Sequence, residues 1–280
     1  MITKRSGAAV SASAESLARC ALDALRGTGG TAVVAAHLRA AELQAAHHEP
    51  SAAGDGPGAT ATSGAAVAVG AVRVLGADAL APYLLTGRAL LPEESAAIRL
   101  SLSALPPAQR PPAAPPVGRE QSWTRAWIDW GLVTVAARLD PDLWRVAAPV
   151  PQGPPPCDDS APRHRPAAGP GGGGEGWVPW SLRMGRLASL ALPGLDGPVH
   201  QAARSHVLAL ARGATRALLR RDFATAARIA RWLAWLAAGG VALPLDAALL
   251  TGDIALRGGD DRCLLDASIA RHLLGLEVPT

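Results

Sequence analysis

Residues 121–138 read QSWTRAWIDWGLVTVAAR, and the reading of that stretch decides the architecture. Wound at about 100° per residue, Trp123, Trp127, Trp130 and Thr134 share one face, while Ile128, Leu132, Val135 and Leu139 form a second. A helix that is apolar nearly all round is one surrounded by protein. This element is therefore expected at the centre of the fold, with Arg125, Asp129 and Arg138 as its few charges.

Outward from it the chain is dominated by Ala and Leu, and β-branched alternation is scarce, which predicts an all-α helical bundle. The first helix is expected over 14–26, capped by Ser13 and stopped by Gly27, and a second over 31–48. Ala65–Leu75 alternates Val with Ala or Gly and reads as a strand or a small-residue helix, with helix preferred. Pro92 sits where the first residue of a helix belongs, with Glu93 and Glu94 in the turn whose dipole favours acids, and that helix is expected to reach Leu105.

Beyond the Trp-rich helix, C-terminal helix hairpins are expected over 199–221 and 223–238, then 245–256 and 261–274. The segments ARIARWL at 227–233 and ASIARHL at 267–273 echo one another at a spacing of 40, which suits one helix-hairpin repeat. Two Pro/Gly-rich stretches, 106–118 and 149–176, read as irregular chain, the second long enough for a mobile loop or linker. The expected organisation is an N-terminal helical part over 1–148, a linker over 149–176 and a helical-hairpin part over 177–280.

Half of the 280 residues are Ala, Gly, Pro or Arg, and Asn is absent, a bias expected of a GC-rich bacterial genome. The net charge of +4 is too mild for a nucleic-acid-coating protein. Lys4 is the single lysine, which removes Schiff-base chemistry and a Walker-type phosphate loop. Cys20, Cys157 and Cys263 form no CxxC pair, so neither a zinc site nor a disulfide framework is expected, and a reducing cytoplasm is the simplest setting. The run Trp232–Leu245 is too short and too broken by Gly and Pro to span a bilayer. No HExxH, GxSxG or GxGxxG pattern is present, so no metal or cofactor is expected. Asp260-Asp261-Arg262-Cys263-Leu264-Leu265-Asp266 is similar to the aspartate-rich magnesium motif of class I terpene synthases, but its spacing differs, and capping of the last helix accounts for the acids.

Several constellations remain. Asp129, desolvated on the Trp-rich helix, has the environment of a general base, and Arg125 one turn away either pairs with it or holds an anionic group. Trp123, Trp127 and Trp130 form either a ligand-lining stripe or plain core, and His206 marks a second proton carrier at the edge of an apolar face. Arg212, Arg216 and Arg220 recur at every fourth residue as a basic stripe, either a solvated face or a docking surface for an acidic partner. Arg228 with Trp232, and Arg231 with Trp235, are expected to stack.

Two function classes follow. In the first, the chain is a cofactor-independent enzyme, or the catalytic subunit of a heteromeric one, in bacterial specialised metabolism. Asp129 and His206 would carry the proton transfers on a small polar, carrier-tethered metabolite, with Arg125 and the three tryptophans binding it. In the second, the chain is a non-catalytic helical interaction module that binds an acidic partner, a carrier protein or second subunit, through Arg212, Arg216 and Arg220.

Overall fold

The computed structural model describes residues 2–30, 32–47, 57–141, 148–158 and 175–276. Residues 159–174 of the second Pro/Gly-rich stretch, and residue 48 at the expected end of the second helix, lie outside them. The described chain is all-α, and its only strands are two residues long. It divides into two compact units, residues 1–107 with 132–147, and residues 108–131 with 148–280.

In the first unit, α1 (Ile2–Arg26) packs on α3 (Pro57–Leu75) and α4 (Ala81–Thr86), and α2 (Val33–His47) on α3 and α5 (Pro92–Ala104). Leu17, Ala18, Ala21, Val34, Ala71, Val72, Leu75 and Ile98 meet in its core. The Ala65–Leu75 stretch is helical, as small residues on α3 let α1 and α2 approach closely. Ser13 does not cap α1: the helix begins eleven residues earlier, at Ile2, and runs through Ser13. Gly27 does end it, with φ +76°. Glu94 does more than sit in a favourable first turn. It is fully buried and accepts hydrogen bonds from the N–H groups of Val34 (2.7 Å) and Ala35 (2.9 Å), so its carboxyl closes the start of α2. Residues 64–86 form one stretch long and apolar enough to cross a membrane, and two-thirds of it is buried inside the protein.

The Trp-rich helix α6 (Glu120–Leu139) is shared by both units. Its first part buries Trp123, Trp127 and Trp130 in the second unit, and its last part buries Leu132, Val133, Val135 and Ala136 in the first.

The second unit is built around α10 (Phe223–Ala238), which packs against α7 (Trp177–Arg186), α9 (Val207–Leu219), α11 (Ala247–Arg257) and α12 (Asp261–Leu273). Asp222, Asp246 and Asp260 cap α10, α11 and α12, each accepting from N–H groups of the first turn. The echo segments fall on α10 and α12, the second helices of successive hairpins, and Ile229 and Ile269 are both fully buried. The helix expected over 199–221 is two helices, α8 (Pro198–Ser205) and α9, broken at His206 with φ −127° and ψ 45°. The second Pro/Gly stretch is not wholly irregular. β1 (Cys157–Asp158) pairs in parallel with β2 (Glu175–Gly176). The carbonyl of Gln152 accepts from the indoles of Trp123 (2.8 Å) and Trp127 (3.1 Å), and that of Pro155 from Trp180 (3.1 Å). Proline lacks an N–H but keeps its carbonyl, so a Pro-rich strap suits the task of satisfying buried indole donors.

Candidate functional site

The site grows from α9. Gly213 allows that helix to approach α7: a Cβ there would lie 2.5 Å from Ser181. With Leu210, Ala214 and Ala217 buried on this inner side, α9 must turn Leu208, Arg212, Thr215, Arg216, Leu219 and Arg220 the other way, at the three- and four-residue spacing of one helical face. Trp177 at the start of α7 and Pro244-Leu245 before α11 complete an open groove of about 680 Å³ against that face. Arg212, Arg216 and Arg220 all line it.

Several other guanidinium groups of this unit are answered by carboxylates. Arg183 meets Glu120 through Nε (3.0 and 3.1 Å) and Nη2 (3.0 Å), and Glu175 through Nη1. Arg186 reaches Glu120 (3.2 Å), Arg204 reaches Asp196 (3.0 Å) and Arg257 reaches Asp253 (2.8 Å). Arg231, fully buried, bonds the fully buried Asp266 at 3.0 Å, with Arg262 at 3.5 Å and Arg228 at 4.0 Å from the same carboxylate. The groove arginines have no such answer: among the described residues, Arg212, Arg216 and Arg220 form no ion pair. Thr215, between them, spends its hydroxyl on the carbonyl of Ala211 (2.9 Å).

The other expected site residues lie apart from the groove's lining. Asp129 is 3% exposed, with Oδ2 3.9 Å from Nε of Arg125, whose side chain is mostly in solvent. Trp123, Trp127 and Trp130 are buried, and the first two have their N–H groups held by the strap. His206 stands at the α8–α9 break against the edge of Trp180, ring centroids 5.2 Å apart. None of these lines either of the two cavities described for the chain. Arg228 and Arg231 do not stack on Trp232 and Trp235, because Asp266 draws both; Arg204 takes the place over Trp235, 4.8 Å from the ring centre. Of the three acids at 260–266, Asp260 caps α12, Asp261 lies in its first turn and Asp266 is the arginine partner.

His200 escaped the sequence reading. Its ring is fully buried among Trp130 (6.4 Å between centroids), Trp232 (5.4 Å) and Trp235 (5.1 Å). Nε2 donates to the carbonyl of Leu190 at 2.9 Å, which fixes the tautomer and leaves Nδ1 without a partner. Burial holds its pKa below the ordinary imidazole value. The signal was there in outline, since Val199, His200 and Ala203 share the buried face of a short amphipathic helix.

No model of a known protein family matches this chain, and no curated protein or solved structure matches it either.

Proposed function

We propose that the chain is a helical interaction module whose α9 groove docks an acidic amphipathic helix of a partner protein. The observation that carries this reading is that three guanidiniums with no carboxylate partner among the described residues recur at a four-residue spacing along one groove. Successive groove arginines rise about 6 Å apart along α9, the pitch at which acids at every fourth position of a second helix recur. Each exposed pair contributes only about 0.2–1 kcal/mol. The charges therefore set register and encounter rate, and apolar burial against Leu208, Leu219 and Leu245 must supply the rest. Leu219, 80% exposed, is the largest gain available there.

A carrier protein or second subunit with an acidic helix suits this site, in a cytoplasm that keeps Cys20, Cys157 and Cys263 as thiols. The alternative reading, a cofactor-independent biosynthetic enzyme using Asp129 as base, draws less support from the geometry. That carboxylate is buried beside Arg125 and lines neither described cavity.

A fluorescent peptide helix with Glu at every fourth position and Leu on the adjoining face tests the proposal by anisotropy. We expect saturable binding that weakens as salt rises, and a loss of at least tenfold in Arg212→Glu/Arg216→Glu with the fold intact by circular dichroism. Equal affinity of the reversed variant, or of a peptide with the same composition scrambled, would overturn it.

A further inference from the structure

The chain that closes the α9 groove leads straight into an acidic helix face of the same molecule. Leu245 lines the groove, Asp246 caps α11, and the helix follows from Ala247. α11 buries Ala247, Leu250, Thr251 and Ile254. Its other side carries Leu249 and Leu256, 74% and 87% exposed and seven residues apart, and Asp246 and Asp253 recur at the same interval. Offsets of three, four and seven fall on one face of a helix, so Asp246, Leu249, Asp253 and Leu256 make a single outward stripe. Asp246 accepts from the N–H groups of Ala248 and Leu249, and Asp253 is 2.8 Å from Arg257. Residues 246–260 nonetheless hold three Asp against one Arg, a net charge of −2. Residues 207–220, α9 with its C-cap, hold three Arg and no acid, a net charge of +3. The three most exposed leucines among the described residues are Leu256, Leu219 and Leu249, divided between these two helices.

We propose that the acidic helix taken by the α9 groove is α11 of a second copy of this chain, the two copies pairing about a two-fold axis so that each places α11 in the other's groove. This inference rests on the docking reading of the groove and names its partner. Charge complementarity favours it: a helix of +3 meets a stripe of −2, twice in each pair. The spacing agrees, since Asp246 and Asp253 stand about 10.5 Å apart along their helix and Arg212 and Arg220 about 12 Å along theirs. Leu249 and Leu256 then cover Leu208 and Leu219, which supplies the apolar burial that exposed ion pairs lack. Within one copy this does not happen, because α9 and α11 are both held on α10 and their leucines stay in solvent. A surface carrying both halves of a complementary contact suits a two-fold pair, in which each contact made in one direction is repeated in the other.

Sedimentation velocity of the full chain over a range of concentrations is the test. We expect a monomer–dimer equilibrium that shifts toward monomer as salt rises, and also when the Glu/Leu peptide is added in excess. Arg212→Glu/Arg216→Glu and Leu249→Arg/Leu256→Arg should each weaken self-association at least tenfold, with the helix content unchanged by circular dichroism. Mixed in equal amounts, the two variants should pair again. One contact then keeps its original residues, and the other sets Glu on α9 against Arg on α11. A chain that stays monomeric yet binds the peptide would overturn this inference and leave the docking reading standing. A chain that does neither ends both. Dimerisation that persists undiminished in either variant, a mixture that fails to pair, or growth past the dimer would also overturn it.

Discussion

Glu94 in the first unit and Asp266 in the second are both fully buried carboxyls, and they are answered in opposite ways. Glu94 faces backbone: two N–H groups that open α2, with the Tyr83 hydroxyl beside them. Asp266 faces side chains, with Arg231 bonded and Arg262 and Arg228 at ion-pair distance. Burial raises the Glu94 pKa even though the N–H bonds oppose it. The lesson concerns what is stranded when the acid is removed. Behind Glu94 lie neutral dipoles, and behind Asp266 lies a guanidinium with no exposure.

Asp266→Ala therefore carries the largest expected effect, about 3–5 kcal/mol lost from the second unit, because the buried Arg231 guanidinium loses the carboxylate it is bonded to. Seven of the eight tryptophans belong to that unit, so urea unfolding followed by indole fluorescence reads chiefly that unit. Glu94→Gln keeps an acceptor oxygen for one of the two N–H groups and should cost about 1 kcal/mol, seen as faster amide exchange over 33–47. Similar costs for the two substitutions would break the contrast.

How much of this was legible in the sequence depends on how local each cause is. The boundaries of α10 follow from Asp222 before it and Gly239 after it, both adjacent in the chain. The groove stripe follows from a four-residue period. That Arg212, Arg216 and Arg220 lack partners while Arg231 has one does not, because Asp266 lies 35 residues from Arg231 and is placed by the packing of α12 on α10. The break at His206 has neither Pro nor Gly to announce it. The strap at 149–158 was hidden for a different reason: composition records the missing N–H groups of proline and says nothing of where its carbonyls point.

Acid should weaken both units. His200 and His37 are both buried with lowered pKa values, so the unfolded chain takes up each proton first as the pH falls. Their stability contribution is whole above about pH 6.5, the ordinary value, and declines below it by at most about 1.4 kcal/mol per pH unit for each histidine. The decline continues only down to the folded pKa, where the folded protein also protonates. Urea midpoints of the second unit between pH 7.5 and 5 should therefore fall, and fall less in His200→Gln. An unchanged acid slope in that variant would assign the sensitivity to some other group.

The smallest effect concerns how each unit leaves its helices. α1 ends at Gly27 with φ +76°, a conformation glycine adopts without a side-chain penalty. α9 ends one residue before Arg220, and Arg221 then takes φ +58°, with its N–H on Leu218 (2.9 Å) and the next N–H on Ala217 (3.0 Å). The turn is hydrogen-bonded, so an L-residue is held there at a cost of about 1 kcal/mol. Arg221→Gly relieves that cost but frees the unfolded chain as well, leaving a net gain of about 0.5 kcal/mol in the urea midpoint of the second unit. The converse, Gly27→Ala, meets no steric neighbour closer than 3.9 Å, so its expected loss of about 1 kcal/mol is purely a backbone effect. Arg221 is not among the residues lining the α9 groove, so peptide affinity should not change in Arg221→Gly. A gain in stability together with lost affinity would mean that the docking surface extends past Arg220 around the turn.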